Sequence, residues 1–329
     1  MISIKDVAKR SGVAISTVSK VLNNYPYVSE ETKQKVRRAI HELNYVPNTI
    51  AAALSSKQSG RAALLIAMNT KTTAIDEISM QYLSGAINKA LELNVEVVTF
   101  FLSMISHMSA EEIIRYLKSQ GFDGLLIFGM CKDDLYLQQL VESREFCSVV
   151  VDAPVTNERT SCVSVDNFKA QYDIAKKTIV ENTCRRVLYI AGKRNRYVTD
   201  ERIAAMNALK KDLDLTLMIR NGESSEKKAR EIAFRYAANK DIVVCGSDLM
   251  AIGAMNALTE MDIFRPVCGF DGVTLMGYVG KQMNTVRQDF ANIGANAVTE
   301  LKRLFDGASG RRVLVPYELV RMQYLDIIR

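Results

Sequence analysis

Several things are scarce or missing along this chain of 329 residues. The longest unbroken apolar run, residues 62–68, falls well short of the roughly 20 needed to cross a bilayer. The first residues are polar and charged, with no apolar signal-peptide core, so the expected location is the cytoplasm and no membrane partner is expected. Six cysteines (Cys131, Cys147, Cys162, Cys184, Cys245 and Cys268) are scattered and form no C-x-x-C pair. Free thiols in a reducing compartment account for them better than disulfides or a metal centre. Only two histidines occur, His41 and His107, too far apart in sequence to suggest zinc. No Gly-x-Gly-x-x-Gly follows a strand-like run, and there is no phosphate-binding loop and no low-complexity tract. With no nucleophile–base motif either, the reading is a chain without metal or cofactor and without catalytic residues.

What is present concentrates in the first sixty residues. Ser3 and Asp6 have capping-box spacing, so a helix can begin at Ile4. Ile4, Val7 and Ala8 then give one apolar stripe, and Gly12 stops the helix because glycine takes a left-handed conformation without steric cost. A second stripe, Val18, Val21 and Leu22, packs back on the first and leaves Ile15, Ser16, Thr17, Ser19 and Lys20 outward. Two tightly joined helices of this kind form a helix-turn-helix. A bland helical hairpin has the same apolar pattern, but the charge separates the two. Residues 1–60 hold nine basic against four acidic side chains, a net of +5 out of +6 for the whole chain. A basic excess confined to one small segment is the footprint of a phosphate-binding module.

Ser29 is a natural N-cap with Glu30 and Glu31 in the first turn that follows. That helix runs to about Leu43, buries Val36, Ile40 and Leu43, and leaves Lys33, Lys35, Arg37 and Arg38 as a solvated face. Pro47 ends the helical head, and residues 48–56, rich in helix formers, are too short to be stable alone.

The run Ile4-Lys-Asp-Val-Ala-x-x-Ser-Gly-Val, then Ser16-Thr-Val-Ser-Lys-Val-Leu-Asn, then Val28-Ser-Glu-Glu-Thr-Lys-x-Lys-Val, then Leu43-Asn-Tyr-x-Pro-Asn48 resembles the signature of the LacI (lactose-repressor) family. The resemblance implies double-stranded operator DNA as a partner. Ile15, Ser16 and Lys20 match the positions that read bases, Lys20 as a donor to guanine and Ile15 as an apolar face for a thymine methyl. Thr17, Ser19, Asn23, Ser29, Thr32 and Asn48 suit phosphate contacts, which set register. It further implies that residues 48–56, Ala51 among them, form a hinge helix that orders on DNA. Leu54 matches the leucine that wedges into the minor groove, unstacking bases and bending the duplex. Two positions depart from the pattern: Ala14 stands where a capping serine is common, and Ala52 where an arginine is common.

Beyond residue 60, short β-branched runs alternate with helical stretches, as α/β layering with parallel sheets requires. Strands are expected near 62–68, 95–101, 124–128, 147–151, 187–191, 215–219, 242–245 and 267–270. Helices are expected near 78–93, 110–120, 168–181, 202–211, 225–238, 249–260 and 293–305. Val165-Asp-Asn167, Asp248-Leu-Met-Ala-Ile-Gly-Ala, Val267-Cys-Gly-Phe-Asp271, Thr285-Val-Arg-Gln288 and Glu318-Leu-Val-x-Met resemble the periplasmic-binding-protein-like core of the same family. The fold class expected is thus a small all-α head on an α/β core of two lobes. Residues 1–46 form the head, 47–60 the hinge and linker, and 61–329 the core. Chain crossings near 162, 290 and 318 would give lobe 1 about 61–161 and 291–318, and lobe 2 about 162–290 and 319–329.

For the cleft the resemblance implies Arg202 as a partner of effector hydroxyls or carboxylate and Asp271 as an acceptor from sugar hydroxyls. Asp248 follows a strand and suits either the cleft or a helix cap, and Asp152 ends another strand. The run Asn69-Thr-Lys-Thr-Thr-Ala-Ile-Asp-Glu-Ile departs from the family's aromatic turn. The functional reading is a homodimeric regulator, in the main a repressor, on a pseudo-palindromic operator, controlled by a small effector of carbohydrate type. With no heptad tail, no tetramerisation helix is expected. Two alternatives stand beside it: a member of the same family governed by a partner protein or by none, and an enzyme or transport-binding protein on the same core, which would leave the basic head unexplained.

Overall fold

The reciprocal spacing of Ser3 and Asp6 does start the first helix. A computed structural model describes residues 2–22, 25, 27–45, 60–67, 76–279 and 282–323. It divides into two units, Met1–Gln58 and Ser59–Arg329. In the first unit the helices are α1 (Ile4–Ser11), α2 (Ile15–Leu22) and α3 (Glu30–Glu42). The Asp6 carboxylate accepts from the Ser3 N–H at 2.8 Å and from its hydroxyl at 2.7 Å. Gly12 takes φ 71° and returns its N–H to the Ala8 carbonyl, closing α1. Val7, Ala8, Val18, Val21, Val36 and Ala39 form the buried centre, with Ile4, Leu22, Ile40 and Leu43 packed on it. On α3 the residues sealed from water are Val36 and Ala39, while Ile40 and Leu43 lie half-buried at the margin. Asn23, Asn48, Ala51 and Leu54, together with Pro47 and Ala52, lie outside the described residues.

The second unit opens with β1 (Arg61–Ile66), α4 (Glu77–Glu92), β2 (Glu96–Phe101), a short α5 (Leu102–Ile105), α6 (Ala110–Ser119), β3 (Gly124–Phe128), α7 (Leu135–Glu142), β4 (Cys147–Val151) and β5 (Thr160–Ser164). It continues through α8 (Asn167–Glu181), β6 (Arg186–Ala191), α9 (Tyr197–Asp212), β7 (Thr216–Asn221), α10 (Glu226–Tyr236), β8 (Ile242–Cys245), α11 (Asp248–Glu260) and β9 (Val267–Cys268). After a 3-10 turn (Thr274–Val279) come β10 (Met283–Gln288), α12 (Phe290–Phe305), β11 (Arg312–Leu314) and β12 (Tyr317–Met322). One parallel sheet has the order β11-β5-β4-β3-β1-β2, the other β12-β10-β9-β8-β6-β7. In the second sheet β12 is the antiparallel edge, with Thr285 opposite Val320. Strands β3, β4 and β8 are buried along their whole length, because helices cover both faces and the apolar run is continuous.

The chain passes between the two sheets three times, the second time between β10 and α12. Cys162 sits in the middle of β5, opposite Val150 on one side and Arg312 on the other, so the first crossing follows Ser164. Thr-Ser-Cys-Val-Ser has too little apolar character to read as a strand. It is buried because Ser161 accepts from the Arg311 N–H at 3.1 Å and donates to Glu300 at 3.2 Å. The crossing expected near 318 lies inside β12, where Glu318 already pairs with Arg287; the chain changes lobe between Leu314 and Tyr317. The strand expected over 267–270 is only two residues long, and the helix expected from 202 starts at Tyr197. Among the described residues no helix is long and apolar enough to cross a membrane. All six cysteines are free thiols, five of them buried.

Candidate functional site

In the first unit the apolar registration of α2 fixes what is shown to solvent. Burying Val18 and Val21 leaves Ile15, at 45% exposure, with Ser16 and Lys20 exposed and Thr17 and Ser19 half-buried. Ala14 occupies the cap position and offers only its backbone carbonyl, to the N–H groups of Thr17 at 2.9 Å and Val18 at 3.1 Å. The first turn of α2 therefore has no acidic side chain, and its amide end stays open to an anion. Ser29 caps α3 by accepting from the Thr32 N–H at 3.3 Å, and the two hydroxyls lie 2.9 Å apart. Lys33 and Lys35 are held by Glu30 at 2.6 Å and Glu31 at 2.7 Å, whereas Arg37 and Arg38 extend into solvent. Two residues were passed over in the sequence: Tyr25 and Tyr27, 52% and 95% exposed between α2 and α3. Two tyrosines either side of Pro26, in a segment with no apolar stripe to bury them, were the available signal, and a tyrosine hydroxyl suits a phosphate.

In the second unit the loops after the strands of one sheet meet those of the other. Asp152 follows β4 at φ 62° and Asp271 follows β9 at φ 126°, both in backbone regions that non-glycine residues rarely occupy. The Asp152 carboxylate accepts from the Tyr82 hydroxyl at 2.9 Å, and the Tyr82 ring is held between Phe128 and Phe290 at 5.0 and 5.2 Å. Arg202, buried on α9, lies with its guanidinium 3.5 Å over the Phe270 ring. It donates to Asn167 Oδ1 at 3.0 and 2.8 Å and to the Gly246 carbonyl at 2.6 Å, and stands 3.9 Å from Asp271. Gln288 donates to Asp271 at 3.1 Å. Among the described residues Asp152 Oδ1 and Gln288 Oε1 are buried acceptors with no hydrogen-bond partner, which suits a ligand that brings donors.

Asp248 does something else. Ser247 caps α11, and the fully buried Asp248 carboxylate accepts from the N–H groups of Gly272 at 2.7 Å and Val273 at 2.9 Å and from the Thr285 hydroxyl at 2.6 Å. Its oxygens are spent on fixing the loop that carries Asp271, which corrects the expectation that it faces a ligand. Asn167 and Tyr82 emerge as cleft residues instead. Cys131, Asp133 and Asp134 also converge within 4.8 Å, but Asp133 is held by Asn195 and Asp134 by the Cys131 N–H.

Burial pushes the Asp271 carboxyl well above the ordinary range, against the pull of Arg202, and the neighbouring Asp248 and Asp152 push it further. The folded state therefore holds a proton that the unfolded chain releases near pH 4. Stability present below that value is lost as pH rises toward the elevated folded value. Asp271→Asn should remove this loss, so its melting temperature relative to wild type should climb between about pH 5 and about pH 8. A difference that stays constant with pH would contradict a buried, proton-holding Asp271.

Comparison with known proteins agrees over nearly the whole length. Residues 3–48 match the family described as bacterial regulatory proteins, lacI family, and residues 55–278 match periplasmic binding proteins and sugar binding domain of LacI family. The transcriptional repressor PurR of Vibrio vulnificus is 26% identical over 327 residues, with 95% of each chain covered. The transcriptional regulator RegA of Clostridium saccharobutylicum is 28% identical over 320 residues, with 92% of each covered. In fold the chain is similar to the lac repressor dimer bound to operator and the anti-inducer ONPF (TM-score 0.81, 22% identity, 98% and 99% covered). It is also similar to the regulator CelR in complex with cellobiose (TM-score 0.69, 23% identity, 98% and 100% covered).

Proposed function

This chain belongs to the LacI family of bacterial regulatory proteins, and from that premise we propose that it binds a pseudo-palindromic operator as a homodimer and answers to a small carbohydrate-type effector. It is a DNA-binding transcriptional regulator and not an enzyme. The observation that carries the reading is the outer face of α2, where Ile15, Ser16 and Lys20 are displayed by the burial of Val18 and Val21. Lys20 and Ile15 read base edges; Ser16 joins them; Thr17, Ser19, Ser29 and Thr32 hold phosphates. Asn23, Asn48, Ala51 and Leu54 complete the proposed DNA contacts, the last as a minor-groove wedge. The effector sits among Arg202, Asp271 and Asp152, with Asn167, Gln288 and Tyr82 around them. Support for a second copy comes from α4, which leaves Met80, Ile87 and Leu91 exposed at 53%, 45% and 74% along one stripe, beside the open edge of β2. The proposed location is the cytoplasm.

A salt titration of the full-length protein on random and on selected palindromic duplexes tests the reading. Specific binding should exceed random binding and fall steeply with salt. Lys20→Ala should lose about 1–3 kcal/mol and relax preference at one or two base pairs of each half-site. Arg38→Ala should weaken every duplex alike. If the two variants weaken specific and random DNA equally, α2 is not the reading helix.

A further inference from the structure

Two rims join the lobes on either side of the cleft. On one, the first turn of α4 reaches across to the 3-10 turn of the other lobe. The Glu77 carboxylate accepts from the Thr274 N–H at 3.1 and 3.0 Å and from its hydroxyl at 2.7 Å. Gln81, one turn on, donates to the same carboxylate at 3.0 Å and holds it in place. Ile78, beside it, packs on the apolar cluster of the second lobe as well as on the cluster shared by both. On the far rim, Asn195 donates to Asp133 at 2.8 and 3.0 Å, the Lys132 N–H to the Asn195 carbonyl at 2.8 Å, and Lys132 pairs with Asp200. Arg196 also donates to the Gly129 carbonyl at 2.8 Å.

The near rim is unlike the far one in what it holds. Three successive N–H groups open the loop into the 3-10 turn. Gly272 and Val273 are taken by Asp248 of their own lobe, and Thr274 by Glu77 of the other. The turn is therefore capped at its start by a residue that reaches it only while the lobes are together. The same turn presents Leu275 and Tyr278 to solvent, 44% and 58% exposed. Thr274 is exposed, so water can reach its amide once Glu77 leaves, but losing a carboxylate cap at a helical start weakens that start even at the surface, and separating the lobes therefore loosens this turn.

We propose that Glu77 is a positioning residue that ties lobe closure to the order of the 274–279 turn, so that the turn's outward apolar face is set by the separation of the lobes. The coupling needs no ligand in the contact itself. A ligand that closes or opens the cleft acts on it through its preference for one lobe arrangement. The inference rests on the regulator reading above for its effect on DNA, and on geometry alone for its effect on the turn.

The test follows amide exchange over residues 272–279 by mass spectrometry on the full-length protein, beside affinity for the palindromic duplex selected above. Glu77→Ala should raise exchange there about fivefold or more, and Glu77→Gln, which keeps an acceptor oxygen, should raise it less. The far-rim pair Asn195→Ala with Lys132→Ala should also raise it, although neither residue touches the turn. Both sets should shift affinity for the selected duplex about fivefold or more, in the same direction. If the far-rim variant leaves 272–279 protected, Glu77 is a local cap and the proposal falls. It falls equally if affinity stays within about twofold of wild type in either set. Absence of any selective duplex in the salt titration would instead remove the regulator reading, with the exchange result still deciding the coupling of rim to turn.

Discussion

Arg202→Ala should lower the unfolding free energy of the second unit by about 3–5 kcal/mol. The side chain is buried, and each part of it is engaged: Asn167 and the Gly246 carbonyl take its N–H groups, Phe270 covers its face, and Asp271 lies 3.9 Å away. Truncation leaves Asn167 Oδ1 and a backbone carbonyl without donors, and opens a void under the Phe270 ring. Arg202→Lys should recover only part of the loss, because an ammonium cannot fork to Asn167 and Gly246 together. Adding Asp271→Asn to Arg202→Ala should recover little at neutral pH, since burial keeps Asp271 protonated there and it already needs no counter-charge. Denaturant unfolding measures all three. A loss under about 1 kcal/mol for Arg202→Ala would mean that water enters the cleft and replaces the guanidinium. The same network has a functional consequence: Arg202 arrives at any ligand already oriented, with its conformational freedom removed beforehand.

Gly85→Ala should destabilise by about 3 kcal/mol, in spite of the better helix propensity of alanine. A Cβ at Gly85 would stand 1.8 Å from the Ala291 carbonyl oxygen, and one at Gly294 would stand 2.4 Å from that of Tyr82. Helices α4 and α12 thus cross backbone to backbone, and no side-chain rotation relieves the clash. Separating them moves Tyr82 away from Asp152 and Glu77 away from Thr274, so the variant should also lose exchange protection at 272–279. Gly60→Ala, where the nearest atom is 3.8 Å away, is the control and should remain near wild type. Equal melting temperatures for Gly85→Ala and Gly60→Ala would show that the crossing yields.

The head was legible because its determinants are local. Ser3 and Asp6 are three residues apart, Gly12 needs only its own φ, and the Val18 and Val21 stripe fixes the face of α2 by period alone. In the core the continuous apolar strands β3, β4 and β8 were equally plain. Strand β5 was not, since its small polar residues are buried by partners as distant in sequence as Arg311 and Glu300. The resemblance pointed to Arg202 and Asp271 and the end of a strand to Asp152, but neither pointed to the Asn167 and Gly246 contacts, which join residues 35 and 44 positions apart. Asp248 misled because a carboxylate after a strand looks the same whether it faces a cleft or clamps a loop. Only the position of the Gly272 and Val273 amides separates the two. Tyr82 was invisible for a similar reason: its role depends on a carboxylate 70 positions away.

The three crossings of the chain have a consequence for how the protein is made. Strand β5 meets β11 only after about 150 further residues have been synthesised, and α12, which covers the first sheet, comes from the same late stretch. At roughly 5–20 residues per second, the nascent first lobe waits for many seconds with β5 as an open edge and the apolar faces of β3 and β4 uncovered. Neither lobe can complete itself in order of translation, because β12 closes the second sheet last of all. Such a chain favours long-range pairing over local pairing and folds late and slowly. In the interval its exposed edges are targets for chaperones and for aggregation, so a ribosome stalled between β10 and β11 would release two unfinished sheets and not one finished lobe.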